Sequence, residues 1–207
     1  MKLLIAVPCM DTVQTLFFIS AMNMARPAGC QVAVSCSSLI YNARNLLAKK
    51  AVDEGFDRVL WLDSDMRFEP DLIEKMSAHL DAGLEYISGL YFTRKAEVKP
   101  CVYKKLGIGK DAQGRQIPIA ANYMDYPEDL FEIAGSGFGA VMMTTDLIRR
   151  CGGQPFFPVA GFGEDFSFCL RAREAGAKLY CDGRIKLDHI GVSAYNEALF
   201  LKQQREG

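Results

Sequence analysis

The chain lacks the marks of several common function classes. Its seven cysteines, at 9, 30, 36, 101, 151, 169 and 181, are an odd, scattered set with no C-x-x-C pair. That argues against a zinc cluster and a disulfide framework, and predicts a reducing cytoplasmic setting. No G-x-x-x-x-G-K-[ST] loop occurs. The glycines at 135, 137 and 139 have neither the spacing of a dinucleotide fingerprint nor its place after the first strand. P-loop phosphoryl transfer and hydride transfer to a dinucleotide are therefore disfavoured. No apolar run approaches membrane-spanning length, and the one in residues 1–8 is too short for a secretory signal. With 24 basic against 25 acidic residues the formal net charge is −1, so no global positive field attracts nucleic acid or an anionic membrane.

What remains is an ordinary soluble composition, half hydrophobic and about a quarter charged, in 207 residues. Residues 3–7 read as a buried strand. Asp11 and Gln14 have the spacing of a capping box before a helix bearing Val13, Phe17, Ala21 and Met24. Residues 31–35 form a second strand, and Ser37 or Ser38 is expected to cap a second helix closed by Gly55. A third strand over 59–62, a third helix with Pro70 in its first turn, and a fourth strand over 86–91 follow. Strand and helix thus alternate through the first ninety residues, which predicts a mostly parallel central sheet with helices on both faces. Residues 93–130 have too few apolar positions for a core of their own and read as an inserted hairpin turning at 111–114. Beyond them lie a strand over 140–143, a short helix, a helix opening at Glu164, a strand over 178–181 with a turn at Asp182-Gly183, and a helical tail over 194–202.

The chemistry concentrates in a few places. The apolar stretch 59–62 stops at Asp63-Ser64-Asp65. A buried parallel strand reads as such a run, so both carboxylates fall at its carboxyl end, the edge where open α/β sheets bind ligands. Two carboxylates this close repel unless a cation lies between them, and a hard divalent ion such as Mg²⁺ or Mn²⁺ fits. An acidic turn that merely ends the strand accounts for the same residues. Glu164 and Asp165 follow a Gly-Phe-Gly loop at a helix start, where either serves as a plain cap or as a general base. The helix dipole is expected to lower the pKa there. His189, one of two histidines, lies in an extended segment where a neutral imidazole can complete a metal site, which leans the ion towards Mn²⁺. His79 reads as a helix flank. The glycines at 135–139 read equally as a tight strand turn or as a place where substrate approaches backbone.

In this order the segments resemble GT-A fold glycosyltransferases close to the family 2 type. Val59-Leu60-Trp61-Leu62-Asp63-Ser64-Asp65-Met66 resembles their D-x-D stretch, and Gly135-Ser136-Gly137-Phe138-Gly139-Ala140 their acceptor-side glycine loop. Gly163-Glu164-Asp165-Phe166-Ser167-Phe168-Cys169 resembles their E-D motif, and His189 stands where a late metal-binding histidine occurs. The resemblance implies one Rossmann-like α/β domain over 1–207, with a nucleotide-sugar half at about 1–92, an acceptor-side half at about 93–191 and a tail at 192–207. It implies Asp65 and His189 as metal ligands, Asp63 at the ribose or sugar, and Pro8 and Cys9 beside the base. Arg44, Ser64 and Gly137 complete the nucleotide-sugar site. Asp165 is the implied base of an inverting reaction, with Glu164 the alternative. The implied activity is transfer of a sugar from a nucleotide sugar, UDP-linked, to an acceptor hydroxyl on a saccharide or a modified nucleic-acid base. Mn²⁺ or Mg²⁺ would act as Lewis acid on the departing diphosphate. Two other readings compete: a sugar-phosphate nucleotidyltransferase, disfavoured because residues 8–13 lack glycine and a cation, and a non-catalytic nucleotide-sugar-binding module.

Overall fold

The computed structural model describes residues 1–191 and 194–206, so Val192, Ser193 and Gly207 of the expected tail lie outside the described residues. The first half alternates as β1 (Leu3–Cys9), α1 (Thr15–Asn23), β2 (Cys30–Cys36), α2 (Ile40–Asp53) and β3 (Arg58–Leu62). It continues with a two-residue β4 (Met66–Arg67), α3 (Leu72–Asp81) and β5 (Tyr86–Leu90). Then come β6 (Val102–Lys110), β7 (Gln116–Asn122), β8 (Leu130–Ile133), β9 (Gly135–Ser136) and β10 (Ala140–Thr144). The chain closes with α4 (Thr145–Arg150), α5 (Glu164–Glu174), β11 (Leu179–Lys186), β12 (Asp188–Ile190), β13 (Ala194–Tyr195) and α6 (Glu197–Glu206).

Seven strands form the central sheet in the order β2-β1-β3-β10-β5-β11-β8. β1 runs parallel to both β2 and β3, and β11 parallel to β5. Only β10, between β3 and β5, and β8 at the far edge run antiparallel. The expected mostly parallel sheet is present. Side chains of β1 divide between the faces at period two, as a pleated strand requires. Leu3, Ile5 and Val7 join a core with Phe17 and Met24 of α1 and Ile73 and Met76 of α3. Leu4 and Ala6 join the other core, with Leu47 and Ala51 of α2 and Leu147 of α4. Both faces being covered, β1 and, after Arg58, β3 are apolar and show no alternation in sequence. The chain leaves β1 for β2 on one side and returns for β3 on the other. A crevice therefore opens at the carboxyl ends of β1 and β3, the switch point of the sheet.

Two three-stranded sheets flank this edge, β13-β12-β4 and β7-β6-β9. The second contains the expected hairpin, whose turn is held by Asp111 Oδ1 accepting from the backbone N–H groups of Gln113 and Arg115 at 2.9 Å.

Four local expectations are corrected. Asp11 and Gln14 form no capping box. α1 starts at Thr15, and the Gln14 N–H instead donates to the Ser64 carbonyl at 2.9 Å, a tertiary bond that outcompetes the local one. Neither Ser37 nor Ser38 is the N-cap of α2, a position taken by Leu39, although the Ser37 hydroxyl accepts from the Leu39 N–H at 3.1 Å. Asp182-Gly183 is no turn but lies within β11, where the Gly183 α-carbon is crowded by the Pro127 and Glu128 backbone. The tail turns helical only at Glu197, because residues 194–195 pair with β12.

Asp182 is buried, 3% exposed, and ties β11 to α3. It accepts from the Arg184 guanidinium at 2.8 and 2.9 Å and lies 2.8 Å from His79 Nε2, so His79 is a half-buried partner rather than a plain helix flank. Burial would raise its pKa, but the Arg184 and His79 hydrogen bonds outweigh that and hold it at about 2. A carboxyl whose folded pKa is depressed contributes stability that is present above its unfolded pKa and lost as pH falls through the folded value. Asp182→Asn is therefore expected to cost about 1–2 kcal/mol at pH 7. In urea melts the gap from wild type should narrow between pH 4 and pH 2. A gap that is the same at both ends of that range would contradict the assignment.

Candidate functional site

The crevice holds a cavity of about 310 Å³. The end of β1 supplies Pro8 and Cys9, the turn after β3 supplies Asp63, Ser64 and Asp65, α2 supplies Arg44, and the start of α5 supplies Glu164 and Asp165. Eight residues read from the sequence as site candidates therefore line one cavity. The loop before α1 adds Asp11, Thr12 and Gln14, of which Asp11 and Gln14 were expected to cap a helix.

Arg44 sits at the centre, 1% exposed. Its Nη2 lies 2.8 Å from Asp63 Oδ1 and 3.3 Å from Asp165 Oδ1, and its Nε lies 3.4 Å from Glu164 Oε1. The guanidinium carbon is 5.1 Å from the Phe138 ring centre, 5.8 Å from Phe156 and 5.9 Å from Trp61, so aromatic faces complete the cation's surroundings. Arg44 lines the cavity where a nucleotide contact was expected of it, and its guanidinium is engaged with protein carboxylates there. Its two paired nitrogens are committed to carboxylates on β3 and α5, and Nη1 is buried without a partner. One guanidinium faces three carboxylates, an excess of two negative charges.

Burial, reinforced by that crowding of carboxylates, sets the pKa shifts. Burial raises Asp63, Arg44 opposes it, and Asp65 and Glu164 add to the rise. Burial likewise pushes Asp165 well above the usual carboxylate range, against Arg44 and with help from Glu164 and Asp63. The expected lowering by the α5 dipole does not prevail at Asp165, even though Asp165 Oδ2 accepts from the Phe138 N–H at 3.2 Å. Asp65 moves the other way. Burial would raise it, but the His189 hydrogen bond and the charges of His189 and Arg94 outweigh burial and hold it low.

His189 does not line the cavity but stands behind it. β12 pairs with β4 so that His189 lies opposite Met66, and the Ile190 N–H donates to the Asp65 carbonyl at 2.7 Å. His189 Nδ1 is 2.9 Å from the Phe92 carbonyl, to which it can only donate, leaving Nε2 with a lone pair in the neutral ring. Nε2 then faces Asp65 Oδ2 at 3.5 Å, and Arg94 Nη2 approaches the same oxygen at 2.9 Å. In the protonated ring Nε2 donates to that oxygen; in the neutral ring its lone pair and the carboxylate can share a cation. Asp65 Oδ1 is also buried without a partner. The pair fits a divalent ion as an open site with two protein donors. Among the described residues no cluster of three or more His, Cys, Asp or Glu side chains is arranged to hold a metal, so the remaining ligands must come from water and substrate.

Gly137 packs against Tyr91 and is not among the residues lining the cavity. A Cβ there would lie 2.0 Å from the Tyr91 hydroxyl, and one at Gly139 2.8 Å from the Tyr91 ring. These glycines make room for Tyr91, which accepts from the Gly139 N–H at 3.1 Å. Tyr91 and Arg94 had no motif to announce them.

No family model and no curated protein matches the sequence. Solved structures do. A197 from STIV aligns with a TM-score of 0.67 at 16% identity, covering 92% of this chain and 86% of that one. GalNAc-T7, solved with UDP, GalNAc and Mn²⁺, aligns with a TM-score of 0.60 at 10% identity, covering 92% of this chain and 43% of that one. The fold is GT-A-like. It is shared with a glycosyltransferase of more than twice the aligned length, and at these identities the likeness concerns the fold alone; family 2 is not singled out. Among the described residues no helix of this GT-A-like chain is long and apolar enough to cross a membrane.

Removing a buried cation from three carboxylates leaves uncompensated charge, so Arg44→Met is expected to cost about 3–5 kcal/mol in urea unfolding. Arg44→Lys keeps the charge but not the fork and should lose less. A loss below about 1 kcal/mol for Arg44→Met would contradict the central place given to this residue.

Proposed function

We propose that this chain is a metal-dependent glycosyltransferase that moves a sugar from a nucleotide sugar, UDP-linked, to an acceptor hydroxyl. The observation that carries the reading is the convergence of Asp63, Asp65, Glu164 and Asp165 on one cavity at the switch point of a GT-A-like sheet. The UDP and Mn²⁺ in the GalNAc-T7 structure supply the choice of nucleotide and ion.

In this reading Pro8, Cys9 and the loop before α1 flank the base. Asp63, held at one oxygen by Arg44, offers the other to a ribose or sugar hydroxyl. Asp65 and His189 are the residues that would hold the ion. When bound, the ion supplies positive charge that neutralises the departing diphosphate. Asp165 takes the proton of the acceptor hydroxyl as that oxygen attacks the anomeric carbon and the bond to the diphosphate breaks. Its raised pKa suits a base working near neutral pH better than an ordinary carboxylate would. Glu164, 3.4 Å from Arg44 Nε, anchors the guanidinium beside it and is the alternative base.

Asp165→Asn is expected to lower kcat by about 10²–10⁴-fold with KM little changed. Asp65→Ala should abolish turnover and metal-dependent UDP binding while leaving the fold intact by circular dichroism. A site with two protein donors binds the ion mainly together with the nucleotide. Mn²⁺ alone should therefore barely move the melting temperature, whereas Mn²⁺ with UDP near a hundredfold Kd should raise it by roughly 5–10 °C. Unchanged turnover of Asp65→Ala would sink the mechanism.

A further inference from the structure

The other feature that stands out is the free edge of the sheet beside α1. β2 is the first strand in the sheet order and pairs only with β1, so its outer row of backbone N–H and C=O groups meets no described strand. Proteins guard such edges with lysines, prolines, bulges or inward charges. β2 reads Cys-Gln-Val-Ala-Val-Ser-Cys, without a charge or proline, and keeps regular register with β1 along its seven residues. Val32 and Val34, 45% and 57% exposed, point to the α1 face. There they border a groove of about 320 Å³ whose other wall includes Phe18 and Met22 of α1, 55% and 59% exposed. α1 itself, Thr-Leu-Phe-Phe-Ile-Ser-Ala-Met-Asn, carries no charged residue, and a helix apolar all round is normally covered on every side.

We propose that this surface is covered by a second copy of the chain, through antiparallel pairing of β2 with β2 across a two-fold axis. The geometry selects the register. An axis perpendicular to the sheet keeps the α1 faces of both copies on one side, so only residues of the same face stand opposite one another. Of the registers that obey this, the one centred on Ala33 pairs all seven residues. Val32 then meets Val34 of the second copy, and Val34 meets its Val32. Four valines form one apolar strip continuous with Phe18 and Met22 of both copies. Gln31 meets Ser35 on the opposite face. Charge favours a second copy over the other partners of an apolar surface. Arg26 is the one charged residue lining the groove, where an anionic membrane would call for a basic rim and a charged protein for a complementary one.

The same register sets Cys30 against Cys36 of the second copy, twice per dimer. Directly opposed residues of an antiparallel pair have Cα atoms about 4.5 or 5.5 Å apart, and both separations lie within the range that a disulfide spans. Both thiols are free, and Cys36 is exposed. Cys36 also has a neighbour in its own chain, with its sulfur 3.4 Å from that of Cys9, so an intramolecular bond is the competing product.

Sedimentation of the full chain under reducing conditions at micromolar concentration tests the proposal. Twice the mass of one chain is expected. Val34→Lys, on an exposed position, should weaken association by at least about tenfold while leaving the melting temperature of the monomer near wild type. Copper–phenanthroline oxidation, in which two thiols give one disulfide and pass two electrons to dioxygen, should trap a covalent dimer of the wild-type chain. Cys30→Ser and Cys36→Ser should each abolish that dimer, and Cys9→Ser should leave it. The cross-link reads the register even if Val34→Lys fails to fold. A monomer at every concentration, a dimer indifferent to Val34→Lys and to Cys30→Ser, or a monomer that floats with neutral phosphatidylcholine vesicles would each overturn the proposal.

Discussion

One buried guanidinium organises the site. Arg44 is held in an aromatic box on α2, and its nitrogens reach carboxylates on the turn after β3 and on the first turn of α5. A lone buried cation is costly, and so is each buried carboxylate, but together they satisfy one another. The arrangement does more than offset burial. It fixes three acids from two distant segments on one cavity wall, where burial first and the neighbouring carboxylates second raise the pKa of Asp63 and Asp165. A cation entering the cavity meets a wall already short of positive charge.

The D-x-D turn divides its two aspartates between different neighbours. Asp63 looks back to Arg44, whereas Asp65 looks out to His189 and Arg94. That division comes from topology. The little β13-β12-β4 sheet anchors β12 to the residues just after the turn, and the Phe92 carbonyl sets the histidine tautomer. Arg94 occupies the same oxygen that a divalent ion would use, and in the proposed function its charge takes the place of that ion's. The proposed glycosyl transfer rests on this split between a structural aspartate and a ligand aspartate.

Much of the fold was legible in the chain because buried parallel strands need no alternation. The apolar runs at 3–7, 59–62 and 86–91 became β1, β3 and β5 at nearly those limits. The acidic turn, the glycine loop and the E-D helix start were legible as a set because each lies next to a strand end or helix start. Other features were hidden by distance along the chain. Arg44 meets Glu164 across 120 residues, and nothing near position 44 signals its burial. Gln14 looked like half of a capping box, but the Ser64 carbonyl won its N–H. β8, four residues alternating exposed and buried, is too short to stand out from the loop before it. The rise at Asp165 depends on burial, which the local rule of helix dipoles does not contain.

A crystal structure of the chain with UDP and Mn²⁺ tests the account most directly. The ion is expected between Asp65 and His189 Nε2, bridged to the diphosphate, with Arg44 still bonded to Asp63 and Asp165 and with Arg94 moved off Asp65. A nucleotide bound away from this cavity, or an Arg44 side chain swung out to grip the phosphates, would contradict it.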